Sequence, residues 1–241
     1  MTSQVVDINV ARSACHKCGI YKLCLPMGLN MDDQDRLDSI IKQRRPLTKG
    51  EHLYHAGDNF GSLYALRSGS LKTYIINEQG EEHVIGLKMP GDLIGFSGIN
   101  GHHYANSAKA LETSSVCEIP FEQLESLSAQ IPGLQHHLME IMSKEIQQEH
   151  EKVAMCGKMP AEARLASILL TLSDRFVERG YSASEFHLSM SRSDIANMLG
   201  LAVETVSRLF TQMQEQGILT VERKHIKVLD RNRLIALIRI P

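Results

Sequence analysis

The chain has 241 residues, 43% hydrophobic and 22% charged, which is enough apolar material for two packed cores and excludes a disordered or collagen-like polymer. Met1–Arg12 has no apolar run of the signal-peptide kind, and no segment approaches the ~18 apolar residues of a membrane span, so a cytoplasmic protein is expected. The formal charge of −2 hides an asymmetry: residues 1–157 carry 14 basic and 19 acidic side chains, residues 158–241 carry 12 and 9.

In chain order, the first 29 residues come first, with three of the five cysteines in the pattern Cys15-x2-Cys18-x5-Cys24. An odd cysteine count without a secretory signal points to cytosolic thiols or metal ligands rather than a disulfide frame. Cys117 can supply a fourth thiolate from a predicted strand. Four thiolates suit a tetrahedral zinc or an iron–sulfur cluster, and spacing alone does not choose between them. His16 also keeps a Cys3His zinc site open. Cys156 reads as a small hydrophobe on a helix.

From Gly50 to Gly101 the chain spends ten of its seventeen glycines between short apolar runs. Residues 62–67, 70–76, 83–87 and 115–119 are β-rich and bounded by Gly, Asn or Pro. Short strands at that spacing predict a β-barrel or a double-sheet roll. After Pro120 the texture changes. No glycine or proline interrupts Leu134 to about Gly157, which predicts a long helix. Met139, Met142, Ile146, Glu149, Val153 and Cys156 recur at spacings of 3 and 4, the pattern of a dimer seam. In a two-fold dimer Glu149 would face its own copy.

A second helix is expected over Ala161–Val177, where Leu165, Ile168, Leu169, Leu172 and Phe176 share a face and Gly180 serves as the stop. Further helices are expected over 191–199 and 203–217. Ser191-Arg-Ser-Asp194 has the capping-box form. Ala196 lets a second helix cross closely, Gly200 supplies a left-handed turn, and Val206 and Leu209 face the first helix. These are the packing demands of a helix-turn-helix. The second helix then presents Glu204, Ser207 and Arg208. Arg can clamp guanine O6 and N7, Glu can accept from cytosine N4, and Ser adapts to either. Residues 219–221 and 226–228 alternate about a polar turn and predict a hairpin, with Arg223, Lys224 and Lys227 placed to meet phosphates. No Walker loop, GxSxG or HExxH is present, so a regulatory protein rather than an enzyme is expected.

These residues resemble a known family. Pro46-Leu-Thr-Lys-Gly50, Gly57-Asp58, Ser62-Leu-Tyr64, Ser68-Gly-Ser-Leu-Lys72, Gly91-Asp-Leu93, Ala110-Leu-Glu-Thr113, Val116–Phe121 and Leu201–Arg208 are similar to the CRP/FNR transcription regulators over essentially the whole chain. The four-cysteine pattern and Glu204–Ser207–Arg208 resemble the FNR (fumarate and nitrate reduction) branch. The resemblance implies an α+β protein with a cyclic-nucleotide-binding-like jelly roll, a long dimerisation helix and a C-terminal winged helix-turn-helix. The boundaries it suggests are 1–29 for the cysteine segment, 30–131 for the roll, 132–158 for the helix and 159–241 for the DNA-binding domain. It further implies a 4Fe–4S cluster on Cys15, Cys18, Cys24 and Cys117, a cluster-dependent homodimer, a palindromic promoter site of the TTGAT–ATCAA kind and a contact of Glu78–Glu81 with RNA polymerase. Anaerobic respiration genes would be its targets. The superfamily's cyclic-nucleotide pocket needs an arginine for the phosphate. Gly95–Gly98 and Tyr104–Ser107, which match that pocket, provide none. The rival readings are a zinc-stabilised constitutive DNA binder and a cyclic-nucleotide-responsive regulator. Gly19 and Glu149 depart from residues common in the branch, where Ser and Asp are usual.

Overall fold

The computed structural model describes residues 15–238, without the side chains of 155–158. Residues 1–14 of the cysteine segment, and the side chain of Cys156 expected in the seam, lie outside the described residues. By contact density the chain divides into two compact units. One extends to Leu71 and resumes over Lys88–Met142. The other joins Lys72–Leu87 to the chain from Ser143 onward.

The first unit opens with 3-10 turns at Cys15–Lys17 and Tyr21–Leu23. Helix α1 (Met31–Ile40) follows. Asn30 starts it by accepting the Asp33 N–H at 2.9 Å, and Asp32 and Asp33 add negative charge where the helix dipole favours it. From there to Pro120 the chain forms strands β1 (Lys42–Gln43), β2 (His52–Tyr54), β3 (Ser62–Ser68), β4 (Leu71–Ile76), β5 (Glu82–Lys88), β6 (Leu93–Ile94), β7 (Ser107–Ala110) and β8 (Ser115–Pro120), of which β4 and β5 fall almost wholly in the second unit. One antiparallel sheet has the order β1-β8-β3-β6, and β2 pairs antiparallel with β7.

Strand β3 shows why its sequence reads as an unbroken apolar run. Leu63 and Ala65 enter one core, while Tyr64 and Leu66, on the opposite face, enter another. The first core is closed by Leu37 of α1, by Leu124 and Leu127 of α2 (Phe121–Ser128) and by Leu134 at the start of α3 (Pro132–Lys158). Helix α3 opens on Pro132 because the first helical turn tolerates proline, whose missing N–H has no intrahelical partner there.

The second unit contains the β4–β5 hairpin, α4 (Ala161–Glu178), β9 (Glu185–His187), α5 (Arg192–Leu199), α6 (Val203–Glu215), β10 (Leu219–Glu222), β11 (His225–Val228) and α7 (Arg231–Ile238). Leu165, Ile168, Leu169 and Leu172 of α4 are buried, as their spacing requires. Gly180 ends that helix with φ 78°, and the Tyr181 N–H reaches back to the Phe176 carbonyl at 2.9 Å. Helix α7 was not expected. It packs on α4 through Leu234, and Arg231 reaches Asp174 at 2.6 Å. No described helix is long and apolar enough to cross a membrane.

Candidate functional site

The DNA-reading module is built as its sequence demands. Ser191 accepts the Asp194 N–H at 3.0 Å while Asp194 accepts the Ser191 N–H at 3.0 Å, a reciprocal cap on α5. Gly200 turns left-handed at φ 64°, and the Leu201 N–H closes on the Ala196 carbonyl at 2.9 Å. Ile195, Ala196 and Leu199 of α5 then meet Val206, Leu209, Phe210 and Met213 of α6 in one buried layer. Arg192 adds its guanidinium 3.3 Å from the centre of the Phe210 ring.

With that face buried, Glu204, Ser207 and Arg208 stand exposed on the other side of α6. Among the described residues none of these three side chains is held by a hydrogen bond or ion pair. The wing is the antiparallel sheet β10-β11-β9, with Arg223 and Lys224 in the two-residue turn between Glu222 and His225. Arg223 and Lys227 are exposed. Lys224 differs from expectation: its ammonium donates to the Ser189 carbonyl at 2.5 Å and the residue is half-buried. The sequence carries no sign of that tether, because Ser189 lies 35 positions away.

Part of the support for this module lies beyond its own sequence. Lys72 of β4, 9% exposed, is ion-paired to Asp194 at 2.8 Å and to Glu82 at 2.6 Å. Burial would lower the Lys72 pKa, but hydrogen bonds to Asp194 and Glu82 outweigh it and raise it. Asn197 of α5 accepts the Val84 N–H and donates to the Glu82 carbonyl, pairing with the β5 backbone. Arg164 of α4 donates to the Leu199 carbonyl at 3.0 Å, which fixes the turn before Gly200. Sequence reasoning missed all three residues; an isolated polar residue has no pattern that reveals a distant backbone partner.

The cysteine site lies in the first unit. Cys15 and Cys18 occupy the first 3-10 turn and its end, and Cys24 follows the second turn. Cys117 sits on β8 opposite Ala65 of β3 and Gln43 of β1. One pocket is lined by Cys15, Cys18 and Cys117 with Asp38, Gln43 and Arg67. Cys24 packs with Cys117 on the first core and feels the charges of Cys117 and Cys18. All four cysteines are free thiols and half-buried. Burial pushes Cys15 well above the ordinary thiol range, followed by hydrogen bonding to Asp38 and the charges of Asp38, Cys24 and Cys117. Burial likewise raises Cys24 and Cys117. His16 is exposed. Among the described residues, no three or more His, Cys, Asp or Glu side chains are gathered tightly enough to hold a metal ion. By donor chemistry the set fits a thiolate-ligated iron–sulfur group: the soft sulfurs of Cys15, Cys18 and Cys117 line one pocket, and the fourth, that of Cys24, packs on the same core as Cys117.

Along α3, Met139, Met142, Ile146 and Val153 are exposed, Met139 by 58% and Val153 by 73%. Leu138 and Ile141 instead pack on the first core. The expected seam is therefore an uncovered apolar stripe. Glu149 lies within the stripe and is 2.5 Å from Lys152. In the roll, the stretches matching a cyclic-nucleotide pocket pack aromatic rings. Tyr54 and Tyr104 stack with centroids 3.8 Å apart, and Tyr104 donates to the Ser62 carbonyl at 2.7 Å. A side chain at Gly98 would strike the Phe60 ring.

Together the roll, the long helix and the winged helix-turn-helix define a DNA-binding regulator. A Crp-like helix-turn-helix domain matches residues 163–237, and a cyclic nucleotide-binding domain matches residues 44–130. The chain is 49% identical over 223 residues to the transcriptional activator protein anr of Pseudomonas aeruginosa, covering 92% of this chain and 91% of that one. It is 46% identical to the fumarate and nitrate reduction regulatory protein of Escherichia coli, covering 92% and 89%. The solved structure of FixK2 from Bradyrhizobium japonicum superposes with a TM-score of 0.77 at 26% identity, covering 84% of this chain and 99% of that one. The chain belongs to the CRP/FNR family of transcription regulators, in its FNR branch. It is a DNA-binding regulator and not an enzyme.

Proposed function

We propose that this protein is an oxygen-responsive cytoplasmic regulator in which Cys15, Cys18, Cys24 and Cys117 hold a 4Fe–4S cluster. The observation that carries the reading is the meeting of two loop cysteines, Cys15 and Cys18, with the strand cysteine Cys117 around one pocket, the third loop cysteine packing on the same core as Cys117, in a chain nearly half identical to a fumarate and nitrate reduction regulator. When bound, such a cluster supplies an oxygen-labile link between loop and strand. The chain's own residues do the rest. Met139, Met142, Ile146, Glu149, Val153 and Cys156 form the homodimer seam; the bare apolar stripe on α3 supports this. Arg208, Glu204 and Ser207 read bases of a palindromic promoter, and Arg223 and Lys227 meet phosphates. Lys224 joins them once freed from Ser189. The turn Glu78–Glu81 meets RNA polymerase. The working boundaries remain 1–29, 30–131, 132–158 and 159–241.

The test is an absorption spectrum of anaerobically purified protein with iron and acid-labile sulfide analysis. The reading expects a visible cluster chromophore with iron and sulfide in equal amounts, lost on replacing any of the four cysteines by Ser and retained in Cys156→Ser. Stoichiometric zinc without sulfide, or loss of the cluster in Cys156→Ser but not in Cys117→Ser, overturns it.

A further inference from the structure

We propose that Asp38 is a positioning residue for the cluster, fixing the Cys15 end of the ligand loop to α1. The inference rests on the cluster reading above. The Asp38 carboxylate accepts the Cys15 backbone N–H at 3.1 Å, and the same side chain lines the pocket with Cys15, Cys18 and Cys117. Its placement is not explained by the helix it sits on. Asp38 lies in the last turn of α1, where a carboxylate opposes the helix dipole and that turn holds no basic residue. What it gains there is the loop. A thiolate bound to iron can no longer donate a proton to Asp38, so in the loaded protein the backbone amide is the link that remains. The loop needs such a link. Cys15 and Cys18 lie in a three-residue 3-10 turn and its end, which bury no side chain, so the turn has little packing of its own. Leu37, the neighbour of Asp38, is fully buried and makes α1 a fixed base for the anchor. Arg67 lines the same pocket, where its positive charge acts on Cys117.

Partners that orient a metal ligand typically change metal affinity by about 10- to 100-fold when removed. The test uses the full chain as wild type, Asp38→Ala and Asp38→Asn, each reconstituted anaerobically. Two quantities are read: the half-life of the chromophore under an iron chelator without oxygen, and amide hydrogen exchange at Cys15 in the cluster-free protein. Asp38→Ala should shorten the half-life by about tenfold and speed exchange at Cys15. Asp38→Asn keeps an oxygen acceptor at the same place and should follow wild type in both. Asp38→Ala matching wild type, or Asp38→Asn failing together with it, overturns the proposal. Should Asp38→Ala melt globally, the Asp38→Asn comparison still decides. A wild-type chain that takes up no iron and sulfide fails the cluster reading instead, and exchange at the Cys15 amide then tests the anchor alone.

Discussion

Gly91 offers a sharp test of how the cysteine loop is held. It has φ 97°, and a Cβ built there would lie 2.8 Å from the Leu23 Cβ and 3.1 Å from the Leu23 carbonyl oxygen. Gly57 has nearly the same backbone, φ 89°, with nothing within 4 Å of the added carbon. Gly57→Ala therefore carries only the left-handed backbone cost, about 1–2 kcal/mol. Gly91→Ala carries that cost plus a clash. Carbon atoms prefer separations of about 3.5–4 Å, so Leu23 must retreat by roughly 1 Å, and the atoms in the way are its Cβ and backbone rather than a flexible tip. Overpacking of this kind costs about 1–3 kcal/mol, which places Gly91→Ala at about 2–5 kcal/mol in total. The strain falls beside Cys24, the next residue, so the loop should yield toward solvent and the cluster should be retained poorly. Urea melts of both cluster-free variants, and iron and sulfide content after anaerobic reconstitution, check this. If Gly91→Ala equals Gly57→Ala in both measurements, the loop does not lean on the 90–92 turn and the reasoning fails.

Asp194→Asn should cost about 1–3 kcal/mol, because it removes one of the two carboxylates that meet a buried lysine, leaving Glu82, and weakens the α5 cap. Burial alone would raise the Asp194 carboxyl, but hydrogen bonds from Lys72 and Ser191 hold it below the usual carboxylate range. Its contribution is thus present above the unfolded carboxyl pKa of about 3.9 and is lost as pH falls through the lower folded value; a melt series below pH 4 should be flatter in the variant. Arg208→Ala should weaken a matched half-site by about 1–3 kcal/mol and relax specificity at one base, whereas Lys227→Ala should weaken all sequences and reduce the salt slope by about 1. Equal losses on matched and mutated half-sites for Arg208→Ala, measured by titration, would make it a phosphate contact. Glu149→Ala should dimerise more readily without a cluster, by less than an unpaired carboxylate would predict because Lys152 shares its charge. Sedimentation of the cluster-free variant as a monomer identical to wild type rules out a charge-gated seam.

The DNA reader was legible because a helix-turn-helix places its demands on neighbours in sequence. Cap, small crossing residue, left-handed glycine and buried branched residues fall within Ser191–Phe210, and each has a residue type that few others replace. The long helix and the α4 face were legible for the same reason, since 3.6-residue periodicity is local. The four cysteines stood out by chemistry, although nothing in their spacing decides between zinc and iron–sulfur. Short strands β1, β2, β6 and β7 were not legible, because two to four residues carry too little alternation to show above turn composition. Helix α1 was not expected: Asn30 and two aspartates are its only sequence signal, which is weak until the helix is seen to bury Leu37.

The missed residues share a different physical cause. Asp38, Gly91, Lys72 and Asn197 each act on a partner between 23 and 122 positions away or across a tight turn, and each is of an ordinary surface type. A carboxylate at a helix end, a glycine in a turn and a lysine on a strand are what solvated residues look like in a sequence. Their roles exist only where folding has removed water: Lys72 is costly to bury and is tolerated because two carboxylates meet it. Asn197 in turn satisfies backbone groups of β5 that would otherwise need water. The helix-turn-helix can therefore be inferred from sequence, while the parts that hold it and the cysteine loop in place are set by burial. Substitutions at those four positions should change binding or cluster retention without altering any residue that touches DNA or iron.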